Sequence, residues 1–141
     1  DERSAAGAAA AGNGNQAGGA PRNAAIDPSA LDSLRALQRE GQPSVVDKVV
    51  GLFLQGSPDV VRQIGEAFAR GDATTLGDLA HGLKSSSAFV GATRLSALCK
   101  ELEQIGRSGR LEDAAMRVGD LRDEYARVEE ALAAKREGNA A

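Results

Sequence analysis

The chain has 141 residues, which suits one domain with a single modest core. It contains no Trp, one Tyr and three Phe, so that core has to be built from Leu, Val, Ile and Ala, a palette suited to helix-on-helix packing. Seventeen basic and twenty acidic residues leave a net charge of −3 with no block of Lys or Arg, which argues against nucleic acid and anionic lipid as the main partners.

Residues 5–20 use only Ala, Gly, Asn and Gln, and the first apolar side chain larger than Ala is Ile26. Residues 1–25 therefore read as a flexible interdomain linker. With Asp1 rather than Met at its start, the chain reads as a fragment of something longer. Residues 26–137 read as the folded domain and 138–141 as a disordered tail.

Asp27-Pro28 looks like an N-cap followed by Pro at the first helical position. Leu31, Leu34 and Leu37 then give a short amphipathic helix over 28–38, stopped near Gly41. Pro43-Ser44 opens a second helix, with Asp47 three residues after the Ser cap. Val46, Val49, Val50 and Phe53 form its buried stripe. The 3.6-residue phase carries on through Val60, Val61, Ile64, Ala67 and Phe68, which favours one bent rod across Pro58 over two separate helices.

Gly71-Asp72 is a stop and restart. The next helix bears Leu76, Leu79, Ala80, Leu83 and Val90, with Ser86 on its buried side, and ends near Gly91 in a left-handed cap. Thr93 is expected to cap another, with Leu95, Leu98, Cys99, Leu102 and Ile105 inward, closing at Ser108-Gly109. A last helix over 111–136 buries Ala115, Val118, Leu121, Tyr125, Val128 and Leu132. No segment shows the alternation of a half-buried strand. Four substantial helices on short turns imply an all-α fold, an antiparallel up-and-down four-helix bundle with a short extra N-terminal helix docked on one end.

Cys99 is the only cysteine, so neither an internal disulfide nor a thiolate-rich metal site can form, and a reducing compartment is the natural setting. No apolar run approaches the roughly 18 residues of a membrane span, and no signal-peptide pattern opens the chain.

His81 is the only histidine. On a helical wheel with Leu76 at 0°, the apolar arc centres near 330° and His81 falls at about 140°, on the opposite face. Lys84 lies one turn on, and Ser85 and Ala88 keep the same wet stripe low. A histidine in water is mostly neutral at pH 7, so its nitrogen is free to act as a nucleophile. An ammonium at i+3 favours an incoming dianion, and small neighbours let another protein's active site close over the ring.

The stretch His81-Gly82-Leu83-Lys84-Ser85-Ser86-Ser87-Ala88-Phe89-Val90-Gly91-Ala92 resembles the signature H-x-L-K-[GS]-S-[SA]-x-x-x-G-A of histidine-containing phosphotransfer (HPt) domains. Leu95, Cys99, Leu102-Glu103 and Gly106-Arg107 match its usual continuation. Phe53-Leu54, Pro58, Gly71-Asp72 and Leu79-Ala80 match its approach to the histidine. The resemblance covers about residues 28–135. It implies a phosphocarrier of a two-component phosphorelay rather than an enzyme, with His81 as the phosphoacceptor through Nε2 and Lys84 beside the phosphoryl group. Ser85, Ala88, Lys100, Glu103 and Arg107 fall at positions that would dock a receiver domain. Many relatives have Gly where this chain has Ser85, which bears on partner affinity.

Several expectations follow from the resemblance. The domain needs no cofactor of its own, since the receiver brings Mg²⁺. Its partners are receiver domains of a hybrid kinase or a response regulator, with no nucleic acid and no direct membrane contact, and the isolated domain is a monomer. The setting is the cytoplasm of a bacterium, as the C-terminal module of a hybrid sensor kinase tethered to the inner membrane through its parent, or as a free-standing protein. The dimerisation domain of a histidine kinase fits less well, because Gly82 and Ser86 stand where its acidic residue and proline belong. A phosphorylation-independent helical adaptor is the remaining alternative. One His and one Cys on different faces make a poor metal site.

Overall fold

A computed structural model describes residues 24–140, with side chains through Lys135. The expected linker falls almost wholly outside the described residues. At its edge Ala25, expected in the linker, is 8% exposed and packs into the core beside Ile26.

Five α-helices follow one another: α1 (Pro28–Arg35), α2 (Val45–Ala69), α3 (Ala73–Phe89), α4 (Thr93–Ser108) and α5 (Ala115–Ala140), with a 3₁₀ turn at Leu111–Asp113 before α5. There is no strand among the described residues. Helices α2 to α5 form an all-α bundle in which α2 packs on α3 and α5, and α4 packs on α3 and α5. None of the described helices is long and apolar enough to cross a membrane.

Three caps act as the side chains require. Asp27 accepts from the Ser29 backbone N–H, Ser44 from that of Asp47, and Asp72 from that of Thr75, each satisfying an orphan donor of a first turn. Thr93 is not a cap. Ala92 holds the N-cap position with no side-chain hydrogen bond, and Thr93 is the first helical residue, because the left-handed Gly91 has already turned the chain. α1 ends at Arg35, which leaves Leu37 in the following turn and 65% exposed instead of on the buried stripe.

α2 is one helix with Pro58 inside it. Pro58 lies on the exposed side, where water can satisfy the carbonyl that its missing N–H leaves free. Arg62 bridges Asp59 and Glu66, and Gln63 donates to Asp59, which braces the turn after the proline.

The core is aliphatic. Leu31, Ile64, Leu76, Leu95, Leu102, Leu121 and Leu132 are fully buried, each worth about 1.5–3 kcal/mol of transfer free energy. Its aromatic pair is Phe53 on α2 against Tyr125 on α5, centroids 6.2 Å apart. Just before the last helix Ala114, not Ala115, is buried, because it lies four residues before Val118 and in phase with the stripe of Val118, Leu121, Tyr125, Val128 and Leu132. α5 continues to Ala140, so residues 138–140, expected as a disordered tail, extend the helix.

α1 straps the α3–α4 turn. The Asp27 N–H donates to the Gly91 carbonyl at 2.7 Å. Gly91 has φ +84°, and a Cβ there would stand 2.5 Å from the Asp27 carbonyl oxygen. Both the left-handed backbone and the close approach of the strap call for glycine.

Candidate functional site

The inward positions of α3 are Leu76, Ala80, Leu83 and Ser87, spaced three and four apart. That pattern turns His81 outward. Its side chain is 57% exposed, and Ser85 and Ala88 on the next two turns are also exposed. Ser87, not Ser86, is the buried serine. Ser86 is exposed, though its hydroxyl does donate back to the Gly82 carbonyl at 3.0 Å.

α3 and α4 run antiparallel from the tight Gly91 turn, and this places Glu103 beneath His81. Glu103 is 8% exposed and lies among cations. Its Oε2 is 2.9 Å from His81 Nδ1 and accepts from Arg107 Nη2 at 2.7 Å and Nε at 3.2 Å. Its Oε1 accepts from Lys84 Nζ at 2.7 Å. The hydrogen bonds from Lys84, then from Arg107, pull its carboxyl from the ordinary 4.5 to about 2, with the imidazole contributing and burial opposing.

An ionised carboxylate only accepts, so the proton of the neutral ring must sit on Nδ1. Nε2 makes no hydrogen bond among the described residues and carries the free lone pair. Two cations against one carboxylate leave the cluster with a net charge of +1 beside that nitrogen. The arrangement is an imidazole held through Nδ1 on an exposed helix face, with Nε2 bare and positive charge beside it.

Beside His81, between α2 and α3, runs an apolar groove of about 550 Å³. Leu79, Gly82 and Ser86 line its α3 wall next to the histidine, and Val49, Leu52 and Val60 line the α2 wall. Leu52 and Phe89 are 62% and 58% exposed at its edge, so large apolar side chains extend the groove to the surface.

A sequence profile of the Hpt domain matches residues 48–131, more than half of the chain. The chain belongs to the Hpt domain family. Among solved structures it is similar to histidine-containing phosphotransfer protein B from Pseudomonas aeruginosa PAO1. They share 28% identity over 82% of this chain and 96% of that one, with a TM-score of 0.74. The HPT domain of a sensor hybrid histidine kinase from Shewanella shares the fold at 21% identity, over 79% and 89% of the two chains, with a TM-score of 0.65. A histidine-containing phosphotransfer protein from Medicago truncatula does so at 23% identity, over 84% and 83%, with a TM-score of 0.71. No curated protein sequence matches the chain.

As an Hpt domain the protein is a phosphocarrier of a phosphorelay, a co-substrate that passes a phosphoryl group and does not itself turn substrate over. The structure brings His81, Lys84, Glu103 and Arg107 of this Hpt domain into one cluster. Lys100 is exposed on the same face of α4, one turn before Glu103, and stands apart from the cluster's hydrogen bonds. Lys84 is bound to the carboxylate that holds Nδ1, so contact with a group on Nε2 requires its flexible chain to swing across.

A helical wheel of α4 alone puts Glu103 at the flank of the buried stripe, beside Lys100 and in i,i+4 register with Arg107, the spacing of a surface ion pair. That pair exists, but the depth of Glu103 and its hold on the ring come from the neighbouring helix. Leu52 and Phe89, which edge the groove, do not stand out in the sequence. Both lie off the buried stripes of their helices, a signal that sequence carries but that has no meaning until the groove is seen.

Cys99 is buried against the inner side of the site. Burial pushes its thiol up to about 12, so it is an inert packing residue.

Proposed function

We propose that His81 is the phosphoacceptor. Its Nε2 lone pair attacks the phosphorus of a receiver domain's phosphoaspartate; an N–P bond forms, the acyl-phosphate P–O bond breaks, and the aspartate carboxylate leaves. The ring, still protonated on Nδ1, gains positive charge, which the Glu103 carboxylate faces. Transfer to a second receiver aspartate reverses these steps. The single observation that carries this reading is the hydrogen bond between Nδ1 and an ionised, buried Glu103 under an otherwise exposed ring.

Lys84 and Arg107 supply positive charge for the phosphoryl oxygens. Among the described residues no group of three His, Cys, Asp or Glu side chains gathers to hold a metal ion, and the Mg²⁺ of the reaction is assigned to the receiver. The receiver closes over Ser85 and Ala88 and lays an apolar surface into the groove edged by Leu52 and Phe89, with Lys100 at the rim. The domain acts as a cytoplasmic monomer, and any membrane tether belongs to a parent sensor kinase.

The test is incubation with a phosphorylated receiver and Mg²⁺. Acid-labile, base-stable label should appear on the wild type and be absent from His81→Gln. Label persisting on that variant removes His81 from the role. Retained partner binding by an unlabelled wild type would favour a phosphorylation-independent adaptor.

A further inference from the structure

His81 and Glu103 meet across two antiparallel helices, so their distance depends on how closely α3 and α4 approach. Two contacts bracket the pair. Towards the Gly91 turn, the Ser96 hydroxyl of α4 donates to the Lys84 carbonyl of α3 at 3.0 Å. On the other side, one turn before His81 and three residues after Glu103, Gly77 of α3 faces Gly106 of α4, and both are buried.

The second contact is unsymmetrical. A Cβ at Gly77 would lie 3.5 Å from the Gly106 Cα, an ordinary van der Waals distance. A Cβ at Gly106 would lie 2.7 Å from both the Cα and the N of Gly77, and 2.8 Å from the Ala73 carbonyl oxygen. These are backbone atoms, so no rotamer change makes room. The helices would have to separate locally by roughly 0.8 Å to restore ordinary contact, and with the side chains in their present rotamers a shift of that size along the bond carries the 2.9 Å hydrogen bond beyond the 3.5 Å limit.

We propose that Gly106 is a positioning residue for the phosphotransfer chemistry: its missing side chain lets α4 approach α3 closely enough for Glu103 to reach His81 Nδ1 and fix the ring tautomer. The inference rests on His81 being the phosphoacceptor, but its primary readout does not. The tautomer is measured on the free protein with no receiver present, so a failure of either claim is recognisable separately.

The chain has a single histidine, so ¹⁵N-histidine labelling of the full chain gives one imidazole. Long-range ¹H–¹⁵N correlation spectra above pH 8 report which nitrogen carries the proton. Wild type and Gly77→Ala should show the Nδ1–H form. Gly106→Ala should shift the ring towards Nε2–H and slow transfer from a phosphorylated receiver about tenfold or more. Glu103→Ala should give the same tautomer shift, and Gly106→Ala combined with Glu103→Ala should go no further. Should Gly106→Ala not fold, Gly77→Val enlarges the same contact from the α3 side and should give the same shift. A folded Gly106→Ala or Gly77→Val protein that keeps the wild-type tautomer overturns the proposal, whatever its loss of thermal stability.

Discussion

Glu103 Oε2 lies 2.9 Å from His81 Nδ1, across 22 positions of sequence and between neighbouring helices. This bond decides which imidazole nitrogen is left bare, and it predicts a graded series. Glu103→Gln keeps an amide oxygen able to accept from Nδ1–H and should retain most of the transfer rate. Glu103→Ala removes the acceptor and should slow transfer roughly 10- to 100-fold, the scale expected for a reacting group misplaced by about an ångström. Rapid-quench measurement of transfer from a phosphorylated receiver separates the two; equal rates in both variants would deny Glu103 a part in orientation.

Lys84 shares that carboxylate through Oε1, so its removal leaves Glu103 still holding the ring. Lys84→Ala should therefore keep the Nδ1–H tautomer while shortening the life of the phosphorylated form and slowing transfer by roughly tenfold, about the worth of one charge-assisted hydrogen bond. Unchanged lifetime and rate would take Lys84 out of the chemistry.

Leu52 and Phe89 are exposed, so charging them costs little in the folded domain. Leu52→Glu or Phe89→Glu should raise the KM for a phosphorylated receiver about tenfold, the loss expected when one large apolar side chain no longer finds cover. The maximal rate, the His81 tautomer and the Tm should stay near wild type. A KM unmoved by both substitutions would place the docking surface elsewhere.

The carboxyl of Glu103 titrates near 2 in the folded protein, below its ordinary 4.5. A lowered acid pKa means the folded state holds the ionised form more firmly than the unfolded chain. The stabilisation is complete above pH 4.5 and fades as the pH falls from there to about 2. Thermal melts should show wild type ahead of Glu103→Gln at pH 6, with the gap closing across that window. A gap that stays constant down to pH 2 would contradict the charge network.

The sequence alone reached the helical bundle and the outward face of His81, and favoured one rod for α2 while leaving a break at Pro58 open, for one physical reason. Amphipathic spacing and capping are local, and a period of 3.6 residues reports which side of a helix meets water whatever it packs against. The same locality explains the slips at Leu37, Thr93 and Ala115, each one turn or less from a helix end, where the periodic pattern does not say where the helix begins or stops. Even the exposed ring beside Lys84 was legible, because both sit on one helix.

What packing alone decided is how deep a side chain lies and what it meets from another helix. On its own wheel Glu103 is a flank residue paired with Arg107. Only the close crossing of α3 and α4 at Gly77 and Gly106 sinks it under the ring and turns a surface ion pair into the group that sets the imidazole's proton. The apolar groove has the same origin: Leu52 and Phe89 belong to different helices, and no periodicity within either one records that they frame a common surface.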